Sequence, residues 1–134
     1  MPTLQLEKKN IHMKTKNIKV ITIEDFKEYP ETIVYMDENI GILSGFNMII
    51  KKSHDIAKLG CMLIAFCEEG EIMCSINGHQ HLLQKDHCAI LPPGTIIRPY
   101  LSSNSHAINV AVIEQSFLTD TLSFKKETWD VMLF

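Results

Sequence analysis

From Ile33 onward, short apolar runs alternate with turn-forming residues, and the spacing is that of strands. Residues 33–36 and 46–50 are apolar runs bounded by Asp37-Glu38-Asn39, Ser44-Gly45 and Lys51-Lys52-Ser53. Residues 61–67 have no polar face, as expected of a strand covered on both sides, and Glu68-Glu69-Gly70 ends them. Residues 71–76 and 79–84 flank Asn77-Gly78, a dipeptide that tolerates the positive φ angles of a two-residue type I′ turn and so predicts a hairpin. Further strands are expected over 87–91, 96–101 and 106–113, divided by Pro92-Pro93-Gly94 and Ser102-Ser103-Asn104. Seven or eight short strands with regular turn signals point to an antiparallel sandwich or barrel.

The flanks have a different period. Thr22, with Asp25 three residues on, predicts the start of a helix over 23–29 that Pro30 stops. Five lysines, at positions 8, 9, 14, 16 and 19, precede it against the single acid Glu7, which predicts a solvated basic arm. Ser116 can cap a helix over 116–122, and Trp129, Val131 and Met132 predict a second over 128–134. The apolar end Val131-Met132-Leu133-Phe134 is costly to leave in water, so it should dock on the barrel, on a partner or on a further segment. The expected organisation is an arm and short helix over 1–30, a β-barrel over 31–114 and helices over 115–134.

A chain of 134 residues suits one domain, and 46% hydrophobic with 22% charged residues is the composition of a folded globular protein. The formal charge of -3, with Arg98 the one arginine, argues against nucleic-acid binding by this chain alone. The longest apolar run, 61–67, falls far short of the about 20 residues of a membrane-spanning helix. No signal-like stretch opens the chain, so a cytoplasmic location is expected. Cys61, Cys67, Cys74 and Cys88 contain no C-x-x-C pair and are expected to be reduced thiols acting as small buried hydrophobes.

Gly70-Glu71-Ile72 through Ile76-Asn77-Gly78, Leu83-Gln84-Lys85-Asp86 and Ile90-Leu91-Pro92-Pro93-Gly94 resemble the central hairpin and second motif of a cupin. Together with the run from Leu63 to Gly70, and with Val110-Ala111-Val112-Ile113 followed by Ser116-Phe117-Leu118, they resemble the N-terminal sensor domains of AraC-family transcription regulators over residues 33–122. The resemblance implies an all-β fold with short flanking helices, a cupin-like double-stranded β-helix or jelly roll. It also implies a small-molecule effector such as a sugar or other small metabolite, self-association as a homodimer, and DNA binding through a C-terminal domain beyond this chain.

Enzymatic cupins hold one divalent ion with histidines and a glutamate. Laid on this chain, the family spacing puts Leu63 at the glutamate position and Ile97 at the last histidine position, and neither side chain has a lone pair to give. No metal, no other cofactor and no catalysis are therefore expected. No Gly-x-Ser-x-Gly elbow or phosphate loop is present, and alternation sets His87 and Cys88 on opposite faces of their strand. If Leu63 faces the interior, Cys61, Ala65 and Cys67 share its face, and small inward side chains leave room for a ligand. The candidate lining is Cys61, Leu63, Ala65, Cys74, His81 and Ile97, with Ile76 and Leu83 beside them and Arg98 at the rim. Two readings stand beside the sensor: a free-standing cupin enzyme with an atypical metal site at His79, His81 and His87, and an interaction module with a filled core.

Overall fold

The structure is a computed structural model that describes residues 18–45, 56–99, 107–120 and 130–133. Two sheets lie face to face. The five-stranded sheet runs β1 (Lys19–Ile21), β4 (Ala57–Leu59), β9 (Ile96–Pro99), β6 (Glu71–Ile76), β7 (His79–Gln84). The six-stranded sheet runs β11 (Met132–Leu133), β8 (Cys88–Leu91), β5 (Cys61–Glu69), β10 (Ala107–Glu114), β3 (Ile40–Leu43), β2 (Ile33–Met36).

The winding is that of a jelly roll. Antiparallel partners nest from the tip outward as β6 with β7, β5 with β8, β4 with β9 and β3 with β10, which makes eight strands one long folded hairpin. Rolling that hairpin brings β5 against β10 and β6 against β9, and these pairs complete the two sheets. The all-β jelly roll with short flanking helices expected from the sequence is the fold observed.

Local chemistry explains the corners. Asn77 and Gly78 take φ of 50° and 85°, as a type I′ turn demands, and Ile76 pairs with His79 across it. At the Pro92-Pro93-Gly94 corner Gly94 takes φ of 91° and its N–H donates to Leu59 O at 2.7 Å, while the buried Thr95 hydroxyl donates to Pro92 O at 2.7 Å. Between β2 and β3 the Asp37 carboxylate accepts the N–H groups of Asn39 and Ile40 and the Tyr35 hydroxyl. The Tyr35 hydrogen bond is the main reason that the Asp37 carboxyl lies below its ordinary range.

The core lies between the sheets. Burial alternates along β10, where Ile108, Val110 and Val112 point inward, and along β3, where Leu43 does. Helix α1 (Ile23–Phe26) closes one end with the fully buried Phe26, and the Asp25 carboxylate accepts the Thr22 N–H at 2.8 Å. Helix α2 (Gln115–Asp120) packs on β10. Cys61, Met62 and Leu63 are all buried, but burial alternates further along β5 and Phe66 is exposed, so the strand is covered on both sides over its first part only.

Several expectations need correction. Lys19 lies in β1, a strand parallel to β4, and the barrel therefore begins before residue 31. The helix expected over 23–29 stops at Phe26. The end expected as a helix over 128–134 contains strand β11, in which Met132 and Leu133 pair with Ile90 and Ala89 of β8. An open strand edge there offers backbone partners that a short isolated helix would have to do without. The basic arm over 1–17 and the strand over 46–50 lie outside the described residues. Among the described residues no helix is long and apolar enough to cross a membrane.

Candidate functional site

The inward face of β5 carries Leu63, Ala65 and Cys67, and that of β8 carries Ala89 and Leu91. Ala65 and Ala89 are paired directly across these strands, so two methyl groups stand where most of the core has branched side chains. A cavity of about 330 Å³ opens above them. Its floor, from the six-stranded sheet, is Ala65, Ala89, Leu91 and Ile108, and its roof, from the five-stranded sheet, is Ile72, Cys74, Ile76 and Ile97. The mouth is formed by His81, Leu82 and Leu83 of β7, His87 just before β8, Cys88 at its start, and Leu133 of β11.

This mouth lies where the two sheets part. β7 ends one sheet and β11 the other, and Leu82 and Leu133 on these end strands are 40% and 42% exposed. The hairpin turn at Asn77-Gly78 aligns β7 so that His81 stands opposite Cys74 on β6. The turn at Lys85-Asp86, with Asp86 at φ of 70°, carries the chain from one sheet to the other and leaves His87 at the entrance. There His87 Nδ1 accepts the Gln84 N–H at 3.2 Å. Burial raises the Cys74 thiol above its ordinary range, which keeps it a neutral part of an apolar wall.

Of the residues expected from the sequence, Ala65, Cys74, His81 and Ile97 come together on the cavity wall, with Ile76 and Leu83. Cys61, Leu63 and Arg98 do not. Cys61 is fully buried beyond the cavity, where its thiol faces Ile21 O at 3.9 Å, and Leu63 packs in the surrounding core. Arg98 sits opposite Ser75, exposed and next to inward Ile97, so alternation turns it to the outside; among the described residues no ion pair joins it to Asp86 or Glu114. Cys67 also stays off the wall.

Sequence reasoning missed Ala89, Leu91, Ile108 and Leu133, and also Ile72 and Leu82. Alternation within 87–91 and 106–113 marks the first three as inward, and no local signal predicts that Leu133 joins a sheet. His87 and Cys88 both reach the mouth although alternation predicts opposite faces. His87 precedes the strand, in the turn, and a two-residue period does not apply to it. Among the described residues no three His, Cys, Asp or Glu side chains stand together as a metal site, so His79, His81 and His87 do not form the alternative three-donor set.

No protein-family model matches the chain, and no curated protein matches it in sequence. Among solved structures it is similar to the cupin domain of Schizosaccharomyces pombe Cnp3, with a TM-score of 0.49 and 9% identity over 69% of each chain. It is similar also to a cupin 2 conserved barrel domain protein from Leptotrichia buccalis, with a TM-score of 0.49 and 15% identity over 61% of this chain and 39% of that one. A third is wild-type ToxT from Vibrio cholerae with an unsaturated fatty acid bound, with a TM-score of 0.42 and 14% identity over 74% of this chain and 43% of that one. The chain thus spans less than half the length of the Leptotrichia protein and of ToxT.

Proposed function

We propose that this domain binds a small-molecule effector and dimerises as the sensor part of an AraC-like bacterial transcription regulator, with no catalysis of its own. The observation that carries the reading is the apolar cavity of about 330 Å³ between the sheets. Its size falls in the range of small-molecule sites, about 300–1,000 Å³, and its wall holds Ile97 where the cupin spacing calls for a metal-binding histidine. The aliphatic part of the wall can recognise shape and exclude water; the lining groups able to act as base or nucleophile are His81, His87, Cys74 and Cys88, and burial keeps the Cys74 thiol protonated. DNA binding belongs to a further domain in this reading, since the chain itself carries a net charge of -3.

The outer face of the six-stranded sheet supports dimerisation. Met132 pairs with Ile90, Ile90 with Ile64, Ile64 with Ala111, Ala111 with Ile42, and Ile42 with Tyr35, an apolar row that crosses all six strands. Six strands at about 4.8 Å spacing make a face about 24 Å wide, and β5 runs about 30 Å along it. The strands beside β5 and β10 are only two to four residues long, so the face is smaller than that product, roughly 500 Å² in projection; the occupant proposed for its apolar row is a second copy related by a two-fold axis.

The test is a thermal-shift screen of small metabolites together with sedimentation equilibrium. A ligand that raises Tm and a dimer in solution are expected. A domain that stays monomeric and whose Tm no compound moves would contradict the proposal. The reading frame is expected to continue past Phe134 into a basic helical segment, and a stop codon there would remove the DNA-binding half.

A further inference from the structure

The cavity wall restricts the chemistry of its occupant more closely than the sequence does. Among the described residues, the wall apart from His81 and His87 consists of aliphatic side chains and the thiols of Cys74 and Cys88. Backbone N–H and C=O groups of β5, β6, β8 and β9 are engaged in the ladders that join these strands to their neighbours. A sugar placed inside would exchange its water for thiols, which are weak partners, and most of its hydroxyl groups would be left unsatisfied.

Among the described lining residues the strong polar groups are His81 and His87. His87 Nδ1 already accepts the Gln84 N–H, so the neutral ring carries its proton on Nε2 and has one donor to offer. His81, half-buried, lies on the same mouth. An apolar bore with donors at one end fits a molecule with an apolar body and one acceptor head.

On the reading that the domain senses a small molecule, we infer that its ligand is a single-tailed amphiphile: an aliphatic chain that fills the space above Ala65 and Ala89, with one hydrogen-bond-accepting head at His81 and His87. The volume of about 330 Å³ is roughly twice the ~150 Å³ that holds benzene, which suits a tail of about ten carbons. Carboxylate and alcohol heads share the required chemistry.

The experiment is isothermal titration calorimetry of the protein with decanoate, 1-decanol and glucose, repeated on three variants. Binding of decanoate or decanol at one per chain, with no heat from glucose, is expected; which of the two is tighter identifies the head. Ala89→Leu fills the floor and Leu133→Trp closes the mouth, and each should weaken binding at least tenfold. Leu133 is exposed, so its variant tests the site even if Ala89→Leu fails to fold. His87→Ala should weaken the tighter ligand about tenfold through loss of one head contact. Binding of glucose in place of the amphiphiles, or alongside them, would overturn the ligand class and leave ligand sensing intact. Amphiphile binding that Leu133→Trp and Ala89→Leu leave unchanged would overturn the location. Absence of binding by all three would overturn this inference and count against the sensor reading as well.

Discussion

Cys61 is fully buried, and its thiol is pushed up to about 12 from an ordinary 9.0, first by burial and then by the nearby charges of Glu114 and Asp25. The folded state therefore holds this proton more tightly than the unfolded chain. Its contribution to stability is complete below pH 9 and is lost as pH rises from there toward 12, with a limiting slope of about 1.4 kcal/mol per pH unit. Urea midpoints should be flat near neutrality and fall above pH 9, and Cys61→Ala should make that fall shallower. Iodoacetamide labelling of Cys61 in native protein at pH 8 would contradict this. At Thr95, 3% exposed, the hydroxyl satisfies Pro92 O at 2.7 Å. Thr95→Val should cost about 0.5–1.5 kcal/mol in urea denaturation, because Pro92 O loses the shorter of its two hydrogen bonds and keeps only the Thr95 N–H. Alternation along 61–67 put Cys61, Leu63 and Ala65 on one inward face, and all three are buried. The cavity touches Ala65 alone of these, because a void's position along a strand depends on what faces it from the other sheet, and a local period carries no such information.

Element by element, the parts written in short-range chemistry were readable. The β6–β7 hairpin is one, since Asn77-Gly78 supplies the left-handed backbone a two-residue turn needs. Gly78→Ala adds a Cβ at φ of 85° and should cost about 1–2 kcal/mol of stability, measured by chemical denaturation. Gly41 on β3 plays a different part: a Cβ there would lie 2.6 Å from Met36 Sδ and 2.8 Å from Val112 Cγ2. Met36 can move but Val112 is packed in the core, so Gly41→Ala should cost about 1–3 kcal/mol. Sequence reasoning did not expect β3 and β4, strands of four and three residues, and the elements that it misread, β1 and β11, are strands of three and two residues at sheet ends. Their sequences barely differ from a helix or an arm, and only the neighbouring strand edge decides their state. Since Leu133 reaches the cavity mouth from β11, part of the candidate site was hidden with it.

At the scale of the molecule, the two faces of the six-stranded sheet have separate tasks in this account: the inner face encloses a ligand and the outer one meets a second copy. Ile42, at 43% exposure between Ala111 and Tyr35 in the apolar outer row, tests the latter. Ile42→Lys should raise the dimer dissociation constant at least tenfold in sedimentation equilibrium, because it sets a charge on the two-fold contact, while leaving ligand affinity unchanged. The central claim is that the space between the sheets takes a molecule. Methyl-resolved NMR tests it most directly, by titrating decanoate into protein labelled at alanine, isoleucine and leucine methyl groups. The account predicts saturable shifts at Ala65, Ala89, Ile72 and Ile108, with contacts from the ligand tail to these methyls and none to Leu43 or Ile42. Shifts confined to the outer row, or inner methyls that stay unchanged at saturation, would contradict it.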